Sequence, residues 1–137
     1  FEGGSGEEMW AALAEANGYE SLDAMWEDPE FDMSTILSAL PELSADSGVV
    51  AEDPATVAER AIAGLKDVAT EHAPGGGDVL VVSSGLTIYF VLEALGADLS
   101  EVTEGIGNGT VSKLSYADGE WTVESVNDSS FVEGAAE

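Results

Sequence analysis

Apolar positions change their period along this chain, and each change predicts a different element. Met9, Trp10 and Leu13 recur at helical spacing, and Asn17-Gly18 stops the run. Ser5, with Glu8 three residues later, forms a capping box for that helix. Ser21 and Asp23 start a shorter helical piece carrying Leu22, Met25 and Trp26, which Pro29 ends. Asp32 or Ser34 begins another through Ile36, Leu37 and Leu40, stopped by Pro41. Leu43 to Glu52, where Ser, Asp and Gly cluster, reads as a loop. Asp53-Pro54 is a strong helix start, a capping carboxylate followed by a proline in the first turn. Val57, Ala61, Leu65 and Val68 line one face of that helix, which reaches about His72 before Pro74-Gly75-Gly76-Gly77 breaks it.

From Asp78 to Ser83 the pattern is continuous rather than periodic, as in a parallel strand covered on both faces. Leu86 to Leu95 is apolar almost all round, which predicts a well-buried helix ended by Gly96. Asn108 to Ala117 and Glu120 to Val126 pair as a hairpin across Asp118-Gly119. Strict alternation puts Trp121 and Val123 on one face of it, and the tail after Asn127 looks irregular. No internal repeat is present. Leu43 to Glu52 is a weak boundary candidate, so residues 1–137 read as a single domain.

The strand-to-helix corner at Ser83-Ser84-Gly85 is where an α/β domain would seat a ligand. Backbone N–H groups of Gly85 and Leu86 suit a small anion at a helix start. Ser84 reads first as the cap of that helix, second as a phosphate contact, and least as a nucleophile, because no base adjoins it. No Gly-x-Ser-x-Gly elbow is present. Asn108-Gly109 reads as a turn rather than a ligand contact. His72 reads as an exposed residue in the last helical turn, favourable to the helix dipole when protonated. Trp10, Trp26 and Trp121 read as packing residues.

Composition narrows the function. The 137 residues carry 28 acidic side chains against Arg60, Lys66 and Lys113, a net charge of −25, while 45% of residues are apolar. That apolar content supports a moderate core and argues against disorder throughout. Nucleic acid is a very poor partner because phosphates need a basic surface. Anionic membrane surfaces are disfavoured for the same reason. The acidity reads as a solvated, self-repelling coat. Its carboxylates are dispersed, without an Asp-x-Asp-x-Asp-Gly loop, so no calcium site is expected. Cys is absent, which removes disulfides and thiolate metal sites and leaves the redox compartment open. The lone His72 cannot build a zinc site without several carboxylates. Neither a metal nor another cofactor is expected. No apolar run reaches transmembrane length and no signal peptide is visible. The chain opens at Phe1 rather than Met, so an upstream segment and the compartment stay open.

Taken in order, these elements resemble the histidine phosphatase superfamily, with its phosphoglycerate-mutase-like fold. Phe1-Glu2-Gly3 is similar to the end of that family's Gly-aromatic-Glu-Gly segment. Asp53 to Leu65, with Arg60 inside it, is similar to the long helix before the last core strand. Val79-Leu80-Val81-Val82-Ser83-Ser84-Gly85 resembles the strand ending in Ser-His-Gly. Asn108-Gly109-Thr110-Val111, through Trp121 to Asn127-Asp128-Ser129-Ser130, resembles the terminal hairpin and its Asn-Asp-Thr-Ser-His ending. The resemblance implies an α/β, three-layer fold, incomplete at its N-terminal side, with Asp78 to Ser83 as a central parallel strand and a C-terminal hairpin extending the sheet. Three clear strands cannot cover both faces and both edges of so apolar a strand. An upstream part of the same protein, or another chain, is expected to supply the rest; homodimerisation is open.

The resemblance also implies phosphate-monoester hydrolysis or phosphoryl transfer through a phosphohistidine. The family's nucleophile lies in an Arg-His-Gly motif on its first strand, and a second arginine and a carboxylic acid follow; all would precede Phe1. The family's second histidine falls at position 84, where this chain has Ser84, and Phe131 stands where the terminal segment has histidine. Neither Glu2 nor His72 replaces the missing groups. The chain alone is therefore expected to be inactive, with no catalytic residue assigned. Its phosphate contacts for a small phosphorylated molecule would be Ser84, Gly85 and Leu86. The alternatives are a non-catalytic phospho-ligand-binding or protein-interaction domain and a purely structural acidic domain.

Overall fold

A computed structural model describes residues 6–102 and 105–133. Ser5 of the expected capping box, and Phe1-Glu2-Gly3, lie outside them. The chain divides after Thr56 into two compact units.

The first unit is helical: α1 (Gly6–Ala16), α2 (Leu22–Trp26), α3 (Met33–Leu37) and α4 (Leu40–Leu43). Leu13, Met25, Ile36 and Leu37 form its buried core. The expected caps are present. The Ser21 side chain accepts from the Ala24 N–H at 3.1 Å, and Asp32 accepts from the Thr35 N–H at 2.7 Å, each satisfying an orphan donor of a first turn. Asn17 does more than end α1. Its Nδ2 donates to the Leu13 carbonyl at 2.9 Å and to the Ile36 carbonyl at 3.1 Å, tying the end of α1 to α3. Trp10 and Phe31 each pack against Trp26 with ring centroids 5.0 Å apart, the packing role expected of the first two tryptophans.

Two readings of this unit need correction. Pro41 does not stop the helix containing Leu40; it sits in the first turn of α4, where its missing N–H costs nothing. Leu43 to Glu52 is not wholly irregular, since Leu43 ends α4 and Ala45–Ser47 forms a 3₁₀ turn. Buried Ser44 organises this region. Its hydroxyl donates to the Leu40 carbonyl at 2.7 Å and accepts from the Ala51 N–H at 2.8 Å.

Helix α5 (Pro54–His72) has the expected bounds. Asp53 accepts from both the Thr56 N–H, at 2.9 Å, and the Thr56 hydroxyl, at 2.8 Å. Within the second unit follow α6 (Gly85–Ala94), β1 (Val111–Ala117), β2 (Glu120–Asp128) and the one-turn α7 (Ser130–Glu133). Phe90, Val91 and Leu92 of α6 are buried, but Leu86 is 48% exposed, so the helix is covered over part of its circumference rather than all of it. The hairpin turns at Asp118-Gly119, both at positive φ (54° and 88°), as a two-residue turn matched to strand twist requires. Tyr116 and Trp121 face each other in register, ring centroids 4.7 Å apart. Trp121 and Val123 alternate in exposure with Thr122 and Glu124, as expected. β2 runs past Val126 to Asp128, and Ser130–Glu133 form α7 instead of staying irregular, while residues 134–137 lie outside the described residues.

The main correction concerns residues 78–83. They form no strand, and among the described residues the sheet has two strands, β1 and β2, paired antiparallel. A strand exists only through a ladder partner, and this segment has none among the described residues. Val79 and Val81 are 49% and 52% exposed, Leu80 and Val82 84% and 87%. That alternation is the period-2 signature of an extended backbone with one face wholly open.

Two predictions follow from charge. Raising NaCl from 0.1 to 1 M shortens the screening length from about 10 to about 3 Å, so the melting temperature of this chain, at −25, should rise; a flat or falling value refutes self-repulsion as a destabilising force. The Thr56 N–H, then its hydroxyl, hold the Asp53 carboxyl below its ordinary value of 3.8. A pKa lowered by folding stabilises above the unfolded value and is lost as pH falls through the folded one. The stability difference between wild type and the non-titrating cap Asp53→Asn should stay constant above about pH 5 and move against wild type below 3.8. A difference that does not change with pH overturns the assignment.

Candidate functional site

Ser84 sits at the junction the sequence singled out. Its backbone is extended (φ −74°, ψ 151°) and its side chain caps α6, accepting from the Thr87 N–H at 3.4 Å. The Ser84 and Thr87 hydroxyls are 3.0 Å apart. The first intrahelical bond runs from the Ile88 N–H to the Ser84 carbonyl. The Gly85 and Leu86 amides precede it and therefore belong to the orphan donors of the helix start. Ser84 and Leu86 are exposed and Gly85 is half-buried, so an anion could reach these amides from solvent.

The corner is crowded on one side. A Cβ built on Gly85 would lie 3.0 Å from the Ile106 carbonyl oxygen, a close approach that favours glycine here. Residues 105–107 are gripped in turn by Asn127. Its Oδ1 accepts from the Gly107 N–H at 2.9 Å, and its Nδ2 donates to the Gly105 carbonyl at 3.4 Å. Thr110 closes the loop, its hydroxyl donating to the Gly107 carbonyl at 2.9 Å. Sequence reading treated Asn108-Gly109 as a turn, and these residues do occupy one. Asn127 entered there only as the start of the terminal Asn-Asp-Ser-Ser segment, without its hold on residues 105–107. The Gly105-x-Gly107-x-Gly109 spacing was a visible sign of close backbone approach, but nothing in the sequence said which residue would hold it.

The contacts described above do not involve the other candidates. His72 is exposed in the last turn of α5. Arg60 and Lys66 are exposed on α5. Lys113 of β1 pairs with Glu124 of β2 at 2.8 Å, and this hydrogen-bonded contact raises the lysine pKa and lowers that of the carboxyl. An open groove of about 670 Å³ runs between residues 95–102 and β2, with Asp98, Glu101, Trp121 and Glu124 in its walls; Ser84, Gly85 and Leu86 do not line it. Among the described residues no group of three or more His, Cys, Asp or Glu could hold a metal ion. No helix among them is long and apolar enough to cross a membrane.

The corner therefore offers backbone donors and the paired hydroxyls of Ser84 and Thr87, with a carbonyl oxygen held close by. None of the side chains in the contacts described there is an imidazole or a cation. The family model for the histidine phosphatase superfamily (branch 1) matches residues 8–129. The match contains the Ser84 corner, α5, α6 and the hairpin through Ser129, and leaves out Phe1-Glu2-Gly3 and Phe131. No curated protein and no solved structure matches the chain. A match over nearly the whole chain, in an order of elements read independently from the residues, makes this chain a member of the histidine phosphatase superfamily.

Proposed function

We propose that this chain is a phosphate-contacting, non-catalytic part of a histidine-phosphatase-type domain, and that residues 1–137 act as one portion of that domain. The observation that carries this is the residue at position 84. Phosphoryl transfer in the family requires an imidazole nucleophile, groups that hold the equatorial oxygens, and a proton donor. The resemblance puts Ser84 at the family's second-histidine position, and the same residue caps α6. The single Arg and single His of the sequence are followed by alanine, as Arg60-Ala61 and His72-Ala73, so these 137 residues contain no Arg-His-Gly. What remains is binding: the Gly85 and Leu86 amides, with the Ser84 hydroxyl, contact the phosphate of a small phosphorylated molecule.

A second reading, an interaction domain, is favoured by the open apolar run. Leu80 and Val82 project from an extended segment with no ladder partner among the described residues. In this reading Asp78 to Ser83 becomes the central strand of a three-layer sheet once another segment of the same protein or a second chain, a further copy included, completes it. Nucleic acid and anionic membrane remain poor partners for a surface this acidic.

The purified chain should show no turnover of para-nitrophenyl phosphate, and Ser84→His should not create any. Inorganic phosphate should shift the Gly85 and Leu86 amide resonances ahead of all others. Turnover that disappears in His72→Ala overturns the inactivity, and phosphate shifts centred elsewhere overturn the site. For the open run, Leu80→Lys should change stability by no more than about 0.5 kcal/mol, as at an ordinary surface position. A loss of several kcal/mol shows that the run is covered in solution, and dependence of that loss on protein concentration identifies a second copy as the cover.

A further inference from the structure

Asn127 makes contacts that its place at the end of a hairpin does not require. It is a non-glycine residue at φ +53°, a conformation asparagine tolerates better than most. Its own N–H donates to the Ser112 hydroxyl at 3.0 Å, across an irregular stretch of the ladder near Lys113. Its carboxamide is turned toward the loop before β1. Both ends of that group are used, Oδ1 by the Gly107 N–H and Nδ2 on the Gly105 carbonyl. The residue between those two glycines is Ile106, whose carbonyl oxygen would lie 3.0 Å from a Cβ at Gly85. A single side chain thus spans the segment that forms one wall of the Ser84–Leu86 corner.

We infer that Asn127 is a positioning residue for that corner: its carboxamide fixes residues 105–107 against Gly85 and thereby sets the environment of the first two amides of α6. This rests on the reading of the corner as a phosphate contact, but the positioning can be measured without phosphate. The chemistry selects asparagine. A glycine would keep the left-handed backbone and lose both hydrogen bonds. An aspartate could still accept from Gly107, but its carboxylate has no hydrogen to donate to the Gly105 carbonyl. An alanine would lose both bonds and strain the backbone as well.

The test uses the full 137-residue chain, isotope-labelled, as wild type, Asn127→Gly and Asn127→Asp. In Asn127→Gly the Gly107 amide should exchange with solvent about three- to tenfold faster, the scale of one net hydrogen bond. The Gly85 and Leu86 resonances should move, while the amides flanking Asp118-Gly119 keep their positions. Asn127→Asp should protect Gly107 better than Asn127→Gly does, and it carries the test if the glycine variant does not fold. Unmoved corner resonances, or movement spread equally over the hairpin, overturn the inference and reduce Asn127 to a strand-end residue. Phosphate is the second arm: if wild type binds it, Asn127→Gly should weaken the affinity at least threefold, and an unchanged affinity counts against positioning. If wild type binds none, the phosphate reading fails and the corner resonances alone decide the role of Asn127.

Discussion

An extended apolar segment needs partners for its backbone N–H and C=O groups and cover for its side chains. The residues after Asp78 impose that requirement on the rest of the chain, and among the described residues it is only half met. Between Asp78 and Glu93 no side chain carries a charge. The latter part of that window folds as α6 and buries Phe90, Val91 and Leu92, while the earlier part leaves Leu80 and Val82 open. A helix closes its hydrogen bonds within itself; a strand must borrow them from a neighbour. The two halves of one apolar window meet different ends for that reason.

Part of the acidity has a more local purpose than a solvated coat. Asp28, Asp53, Asp98 and Asp128 each accept a hydrogen bond from a backbone N–H two or three residues onward, at Glu30, Thr56, Ser100 and Ser130. All four carboxyls are held below the ordinary aspartate value by such hydrogen bonds, from amides or nearby hydroxyls. Short carboxylates satisfy turn and helix-start amides well, so part of the negative charge stabilises local structure even as the total opposes compaction. The few cations do little to offset that total. The Lys113–Glu124 pair is well exposed on both sides, and such pairs contribute little.

At the corner, geometry and chemistry separate. The arrangement of extended segment, capping serine, glycine and helix start is present in outline, and backbone donors need no particular side chain to be offered. Covalent phosphoryl transfer does need one. Serine at position 84 can cap and can donate a hydrogen bond; it can neither become a phosphohistidine nor carry positive charge toward an oxyanion. Family membership and catalytic competence are accordingly separate properties, the first carried by the pattern of elements over residues 8–129 and the second by a few side chains.

Much of this was legible in the residues themselves, wherever the governing interaction is short in range. The caps at Ser21, Asp32, Asp53 and Ser84, the stop at Gly18, the break after His72 and the turn at Asp118-Gly119 depend on neighbours within a few positions, and each stands where the sequence put it. Pro41 was misread because proline is compatible with a helix start as well as with a helix end. The 78–83 strand was misread because continuous apolarity says that a segment wants two neighbours, not that it has them. The link from Asn127 to Gly105 and Gly107, and from there to Gly85, joins residues about twenty apart in each step. Local pattern by itself determined the helices, the hairpin and the serine at the corner; only the tertiary structure decided which loop closes on that corner and which apolar face stays open, because those depend on contacts between residues that chain order does not make neighbours.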